Sequence, residues 1–431
     1  MQLGVNGHSM FASGAYRQVS DEDVFKTLAS HKLKRYRLTI PLAADTDPWV
    51  ATRFASLVSL AAKYGVTLEP VLALPLTWGD KTDAGKYPAG DAAAIYSQGY
   101  NRTLAFVRQF ASAVGDWELG NEINLTVHDA SGSPLFGKGW TASEFAAYPS
   151  MVEYANLLRG MSDAIEQVRR ETGRNLRRIV GTTSTMFGFI DFVKSSGVKV
   201  DVLGYHYYEH AGVDPTNYWG GVRPNFNLFT KLSSYGIPVV INEINGAEIY
   251  DASFVNTSTS ATMATCNSNL DAMLAKFSQY SFIEWIDLYA LIDEPDKAGA
   301  EGRFGLMFNL SSTKPLMATV DKYTGGAQQA APAPAPTPAP APAPAPTTSV
   351  SYPATVEIAN KVSMRLAPTV VGDATNLGCQ GILLPTGLSI DPSTGVISGT
   401  PNYPAGSVNW VTTTIIVQKT GQVFIMTWKV S

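Results

Sequence analysis

Two short stretches of this chain end an apolar run on the same pair of residues. Trp117-Glu-Leu-Gly-Asn-Glu122 closes on Asn121 and Glu122, and Pro238-Val-Val-Ile-Asn-Glu243 closes on Asn242 and Glu243. A carboxylic acid and a carboxylate that face each other across a cleft have the chemistry to cut a glycosidic bond. One protonates the leaving oxygen; the other, ionised, attacks the sugar or activates water. Their mutual repulsion raises the pKa of one and so separates the two roles. Metal-assisted chemistry is the rival for grouped acids. It needs about three protein ligands, usually including His or Cys. No His-Glu-x-x-His occurs, and neither a metal nor another cofactor is expected.

Other side chains fall where they would serve such a pair. His206 and Tyr208, two apart in Gly204-Tyr-His-Tyr-Tyr208, share one face of an extended strand, placed to hold the Glu243 carboxylate and the sugar. Arg35 and Arg37 share parity in Lys34-Arg-Tyr-Arg-Leu38, and Arg37 lies nearer the closing end. A guanidinium donates hydrogen bonds without giving up its proton, so Arg37 is expected to keep a carboxylate ionised. His8 closes Gly4-Val-Asn-Gly-His8 as a candidate partner for substrate hydroxyls. Trp285 shares parity with Asp287 and Tyr289 and offers an indole to stack on a pyranose. Trp78, Trp140, Tyr218 and Trp219 are loop candidates for further sugar subsites. Asp293, Glu294 and Asp296 read as a solvated loop.

Glu122 and Glu243 lie far apart in the chain, so a fold must bring them together. Predicted strands over Leu3–His8, Leu33–Ile40, Thr67–Leu72, Asp116–Glu122, Arg178–Thr182, Val200–Tyr208, Pro238–Glu243 and Ile283–Tyr289 alternate with longer amphipathic stretches. Asp47–Gly65, Ala92–Val114 and Ser150–Glu171 carry apolar residues at helical spacing. This alternation predicts a (β/α)8 TIM barrel over residues 1–326, in which catalytic groups come from the C-terminal ends of different strands. Both Asn-Glu pairs then open onto one rim. A doubly wound open sheet is the alternative, but no Gly-x-Gly-x-x-Gly follows the first strand.

Residues 327–349 form an Ala-Pro linker, with proline at every second position from Pro332 to Pro346. Such a tract is expected to be an extended, polyproline-like spacer. Residues 350–431, rich in Val, Thr and Ile with Gly and Pro at turns, predict a small all-β sandwich; Thr412–Gln418 and Val423–Val430 are its expected last strands. With 16% charged residues the chain is no highly charged disordered polymer. A net charge of −4 gives no basis for gripping nucleic-acid phosphates and fits a neutral substrate. No apolar run approaches the length of a transmembrane segment. Cys266 and Cys379 lie on opposite sides of the linker, so no disulfide is expected. The chain shows no signal peptide and opens almost directly into a strand, as if a leader had been removed.

The motif Trp117–Glu122 together with Ile241-Asn-Glu243, and His206-x-Tyr208 between them, resembles the clan A retaining glycoside hydrolases. Within that clan the chain looks most like family 39 and its bacterial relatives that cut exopolysaccharides, over roughly residues 3–325. The resemblance implies Glu122 as acid/base, Glu243 as nucleophile, Asn121 on the substrate 2-hydroxyl, and His206 and Tyr208 as supports. It implies a polysaccharide or oligosaccharide substrate, β-linked, such as a bacterial exopolysaccharide. Endo action is expected because the connections Trp78–Ala92 and Asn124–Tyr148 are long and carry aromatics. The alternatives are a transglycosylase using the same acids and a non-catalytic carbohydrate-binding or adhesion protein on a barrel scaffold. Gly387-Leu-Ser-Ile-Asp-Pro-Ser-Thr-Gly-Val-Ile-Ser-Gly-Thr-Pro401 resembles the Ig-like domains of bacterial secreted and surface proteins. That implies a secreted or cell-surface bacterial protein, with attachment to surface or matrix through this domain.

Overall fold

The computed structural model describes residues 2–431 apart from 12–13, 43–47, 75–90, 130–131, 133, 136, 209–213, 219–222, 247–259, 298, 327–347, 383, 405–408, 418 and 421. Trp78, Trp219 and the Ala-Pro tract therefore lie outside the described residues. The described chain divides into two compact units, Met1–Ala331 and Pro332–Ser431.

In the first unit eight parallel strands close into a barrel in chain order. They are β1 (Gln2–Asn6), β2 (Arg35–Pro41), β3 (Thr67–Ala73), β4 (Asp116–Leu119), β5 (Arg177–Thr183), β6 (Val202–Tyr207), β7 (Val239–Ile244) and β8 (Ile283–Leu288). β8 closes the ring on β1, from Gln2 opposite Trp285 to Val5 opposite Leu288. The expected helices appear as Pro48–Tyr64, Ala92–Phe110 and Pro149–Thr172. Ser20 caps the helix Asp21–Ser30 by accepting from the Asp23 amide, and three acids in its first turn complement the helix dipole.

Strand alternation sorts the side chains into two environments. One face, with Leu3, Val5, Tyr36, Leu38, Trp117, Leu119, Val180, Leu203, Tyr205, Val239 and Ile241, joins the helices in one apolar core. The other face fills the barrel. Towards the N-terminal ends of the strands lie Ile179, Val202 and Val240 with Trp285. Above them the filling is ionic and amide: Arg35, Arg37, Glu69, Glu118, Asn242 and Asp287 are all buried. Two glycines make room for it. A Cβ on Gly4 would overlap Asp287 and Arg35, and one on Gly204 would meet Asn242 Oδ1 at 2.5 Å.

The second unit is all β. A four-stranded sheet of Thr355–Ile358, Gln422–Val430, Asn409–Val417 and Cys379–Ile382 accompanies a three-stranded sheet of Met364–Leu366, Ile397–Gly399 and Leu388–Ile390. The two expected closing strands form its long hairpin. Its core holds Val350, Leu377, Ile397, Ile415, Met426, Trp428 and Val430. The Asp-Pro-Ser-Thr-Gly motif is a turn: Asp391 Oδ1 accepts from the amides of Ser393 and Thr394, and Gly395 takes φ 70°. Neither Cys266 nor Cys379 is in a disulfide among the described residues, and both are buried. No helix among the described residues is long and apolar enough to cross a membrane.

Candidate active site

The two acids reach the barrel's C-terminal rim by different backbone devices. β4 stops at Leu119, short of the expected Glu122, because the chain turns left-handed there: Gly120 has φ 76° and Glu122 has φ 44°. Such a backbone is costly for a residue with a side chain, on the order of 1–3 kcal/mol. Glu122 then leads into a 3-10 turn, Ile123–Thr126, and its side chain remains part-exposed. On β7 the device is a bulge. Tyr205 faces Ile241, but the next residue, His206, faces Glu243, so β7 carries one residue more than β6. Strict alternation would send Asn242 and Glu243 to opposite faces. With the bulge both face inward. Asn242 Nδ2 donates to Glu69 Oε1 at 2.7 Å and Glu118 Oε2 at 2.9 Å, while Glu243 meets Arg37.

Arg37 is the hub. Its Nη1 donates to Glu243 Oε1 at 2.8 Å and Asn6 Oδ1 at 2.7 Å; its Nη2 donates to Asn121 Oδ1 at 2.6 Å. Nε and Nη2 fork onto Glu118 at 2.6 and 2.9 Å. Tyr208 donates its phenol hydrogen to Glu243 Oε2 at 2.5 Å. His206 stands between the two acids, its Nδ1 at 2.9 Å from Glu122 Oε1 and 3.5 Å from Glu243 Oε2. Glu122, His206 and Glu243 each bring one polar atom to within 4.8 Å of the others. A cation would fit that span by size, but Arg37 already supplies positive charge at Glu243.

These contacts fix the charge of the site. Burial alone would raise the Glu243 carboxyl; His206, Arg37 and the Tyr208 hydrogen bond outweigh it and hold Glu243 below the usual carboxylate range. Burial would lower His206, yet Glu243 and Glu122 raise it. Burial first, then the Glu243 charge, pushes the Tyr208 phenol well up, so it stays a donor. Deeper in the barrel, burial lifts the Asp287 carboxyl to about 6, against the pull of Arg35 and Arg37.

The structure thus gathers Arg37, Asn121, Glu122, His206, Tyr208 and Glu243. His8 is buried close by, its Nδ1 2.7 Å from Glu294 Oε2 and its ring stacked on Phe11 at 4.7 Å. Trp285 is not at the rim, which corrects its reading as a sugar platform. It pairs with Val240, three residues before Glu243, and lies under Arg35 at 5.2 Å. Tyr218 is fully buried and donates to the Tyr208 carbonyl, so it is no exposed subsite. Trp140 stays part-exposed, with the Arg223 guanidinium 4.2 Å over its ring. The acidic run is no solvated loop: Asp293 pairs with Lys314 at 2.5 Å, Glu294 pairs with His8 and Lys297, and only Asp296 is exposed.

Sequence reasoning missed Glu118, which holds Arg37 from below, and Glu69, and it gave Asn242 no part in the buried layer that joins them. It also missed Tyr289, whose ring is 5.9 Å from His8 and whose oxygen accepts from Lys297 Nζ at 2.9 Å. Burial, then the charges of Glu243 and its acidic neighbours, pushes that phenol well up. Parity was the available signal, since Trp285, Asp287 and Tyr289 alternate along one strand.

Comparison with known proteins bears on both units. Residues 322–431 match the family described as "Putative Ig domain". The chain matches no curated protein in sequence. Among solved structures it is similar to the family 1 β-glucosidase of Thermotoga maritima, with a TM-score of 0.51 and 12% identity over 75% of this chain and 96% of that one. The same enzyme with isofagomine lactam gives 0.50 and 13% over 75% and 98%. The endo-β-1,4-mannanase of Thermotoga petrophila gives 0.48 and 13% over 100% and 98%. The likeness shows the (β/α)8 barrel fold of the first unit. The expected likeness to family 39 is corrected: the similar structures named here include a family 1 enzyme. The physical reason is that two Asn-Glu strand ends are too short a pattern to single out a family.

Proposed function

We propose that this chain is an O-glycosyl hydrolase that works by double displacement, with Glu243 as nucleophile and Glu122 as acid/base. The observation that carries the reading is the pairing itself. A Glu122 oxygen lies within 4.8 Å of a Glu243 oxygen, and Arg37, His206 and Tyr208 hold Glu243 as a carboxylate. Retaining pairs sit about 5–5.5 Å apart, whereas inverting pairs need roughly 6.5–9.5 Å to seat a water.

In the first step a Glu243 oxygen bonds to the anomeric carbon as the glycosidic C–O bond breaks. The leaving oxygen takes its proton from Glu122. In the second step water attacks the same carbon, Glu122 as carboxylate takes the proton from water, and the ester to Glu243 breaks. Asn121, fixed by Arg37, is positioned to bond the sugar beside the reacting carbon.

The substrate we propose is a neutral, β-linked polysaccharide such as a bacterial exopolysaccharide, cut internally. The barrel shared with a β-glucosidase and the absence of net positive charge support it. A secreted or cell-surface setting, with the C-terminal unit as attachment, belongs to the same proposal. A 2-deoxy-2-fluoro glycoside with a good leaving group tests it: peptide mapping should find the label on Glu243. Proton NMR in the first minutes of reaction should show product of unchanged anomeric configuration. A label elsewhere, or inverted product, removes the assignment.

A further inference from the structure

Arg37 serves two carboxylates unequally. Two of its nitrogens grip Glu118, and only Nη1 reaches Glu243. Glu118 is fully buried and is held from its other side by Asn242. The stronger, two-pronged half of the guanidinium thus faces a side chain sealed from the cleft. We propose that Glu118 is a positioning residue that divides the Arg37 guanidinium between two carboxylates and thereby sets the direction and reactivity of Glu243. This rests on Glu243 being the nucleophile.

The physical argument concerns what Glu243 would meet without that division. A guanidinium turned wholly to Glu243 would grip both of its oxygens in one planar pair and hold their charge against attack. With Glu118 in place, Glu243 takes one bond from Arg37 on Oε1, and Oε2 meets the Tyr208 hydroxyl and, at 3.5 Å, His206. Glu118 itself faces Arg35 and Arg37 on β2, Glu69 across Asn242, Asp116 on its own strand and Asp287 on β8. Glu243 faces Arg37, His206, Tyr208 and Glu122, with Tyr289 and Glu301 on the side of the segment after β8. Among these, Glu118 is the carboxylate that shares Arg37 with Glu243. Neutralising it removes a negative neighbour and leaves Arg37 undivided. Both changes lower the pH at which Glu243 ionises.

Glu118→Gln in the full chain keeps the shape and removes the charge. Carbon-13 NMR of the glutamate carboxyls, with Glu243 assigned by its absence in Glu243→Gln, should show the Glu243 titration moving down by about one pH unit, the low end for one charged neighbour. With 2,4-dinitrophenyl β-glucoside as the kinetic probe, the acid limb of kcat/KM should move with it, and kcat should fall roughly tenfold with KM held, about 1.4 kcal/mol. Glu118→Asp keeps the charge, so the titration should stay at its wild-type position while kcat drops. If Glu118→Gln does not fold, Asn242→Ala loosens Glu118 without changing a charge and should lower kcat at constant KM. A Glu243 titration that is unmoved or moves up, equal effects of Gln and Asp, or an unchanged kcat in Asn242→Ala overturns the proposal. Labelling of wild type decides separately whether Glu243 is the nucleophile.

Discussion

In the C-terminal unit the sheets close on Val350, Leu377, Ile397, Ile415, Met426 and Val430, and the Trp428 indole finds its hydrogen bond on Thr413 at 2.9 Å. The barrel encloses Arg35, Arg37, Glu69, Glu118, Asn242 and Asp287 instead. Apolar packing stabilises by removing surface from water. Buried ions gain little net stability, because desolvation offsets their attraction. One interior is arranged to hold a shape. The other accepts a weaker core in return for fixed charges beneath the proposed catalytic pair.

The contrast is tested first where the effect is largest. Glu243→Ala should lower turnover by roughly 10⁴-fold or more, the scale of losing a nucleophile, while substrate binding measured by calorimetry persists. Comparable activity in this variant would remove the chemical reading of the barrel interior. Glu122→Ala should cost about 10²–10⁴-fold on substrates with poor leaving groups and far less on a dinitrophenyl glycoside. Azide should restore part of its rate. Equal losses on both substrates would deny Glu122 the proton transfer.

Trp428→Ala probes the other core. It should destabilise the C-terminal unit by about 3–5 kcal/mol and leave the rate on a soluble substrate unchanged. A matching drop in the barrel's calorimetric transition would join the two interiors. The smallest effect concerns Asp287. Its carboxyl rises from the ordinary value near 3.9 to about 6 in the fold. Between those values the folded chain binds more protons than the unfolded one, so stability falls as pH rises through the window. Asp287→Asn should abolish that fall and add up to about 3 kcal/mol at pH 7. Urea unfolding from pH 4.5 to 8 reads it, and a variant less stable at pH 7 would show Asp287 to be a net anchor for Arg35.

The strands and the three long helices were legible because their apolar residues recur at periods of two and 3.6. Both acids were legible because each closes an apolar run. Glu118 was not, since a lone acid inside Trp117-Glu-Leu119 has no pattern of its own; its partner Arg37 comes from another strand. Trp285 was misplaced because parity gives the face of a strand but not the height along it. The bulge was invisible for a related reason. Asn242 and Glu243 are adjacent polar residues, and alternation alone would have sent one of them into the helix layer. The buried acids Asp293 and Glu294 looked solvated because Lys314 and His8 lie far off in sequence.

Glu122 sits on a left-handed backbone that glycine or asparagine would occupy at lower cost. A search for thermostable variants would therefore be drawn to that position, since Glu122→Gly relieves the turn. The variants it enriched would melt higher and have lost the proposed proton donor. At this residue selection for folding and selection for chemistry pull in opposite directions, and the glutamate records which of them has prevailed.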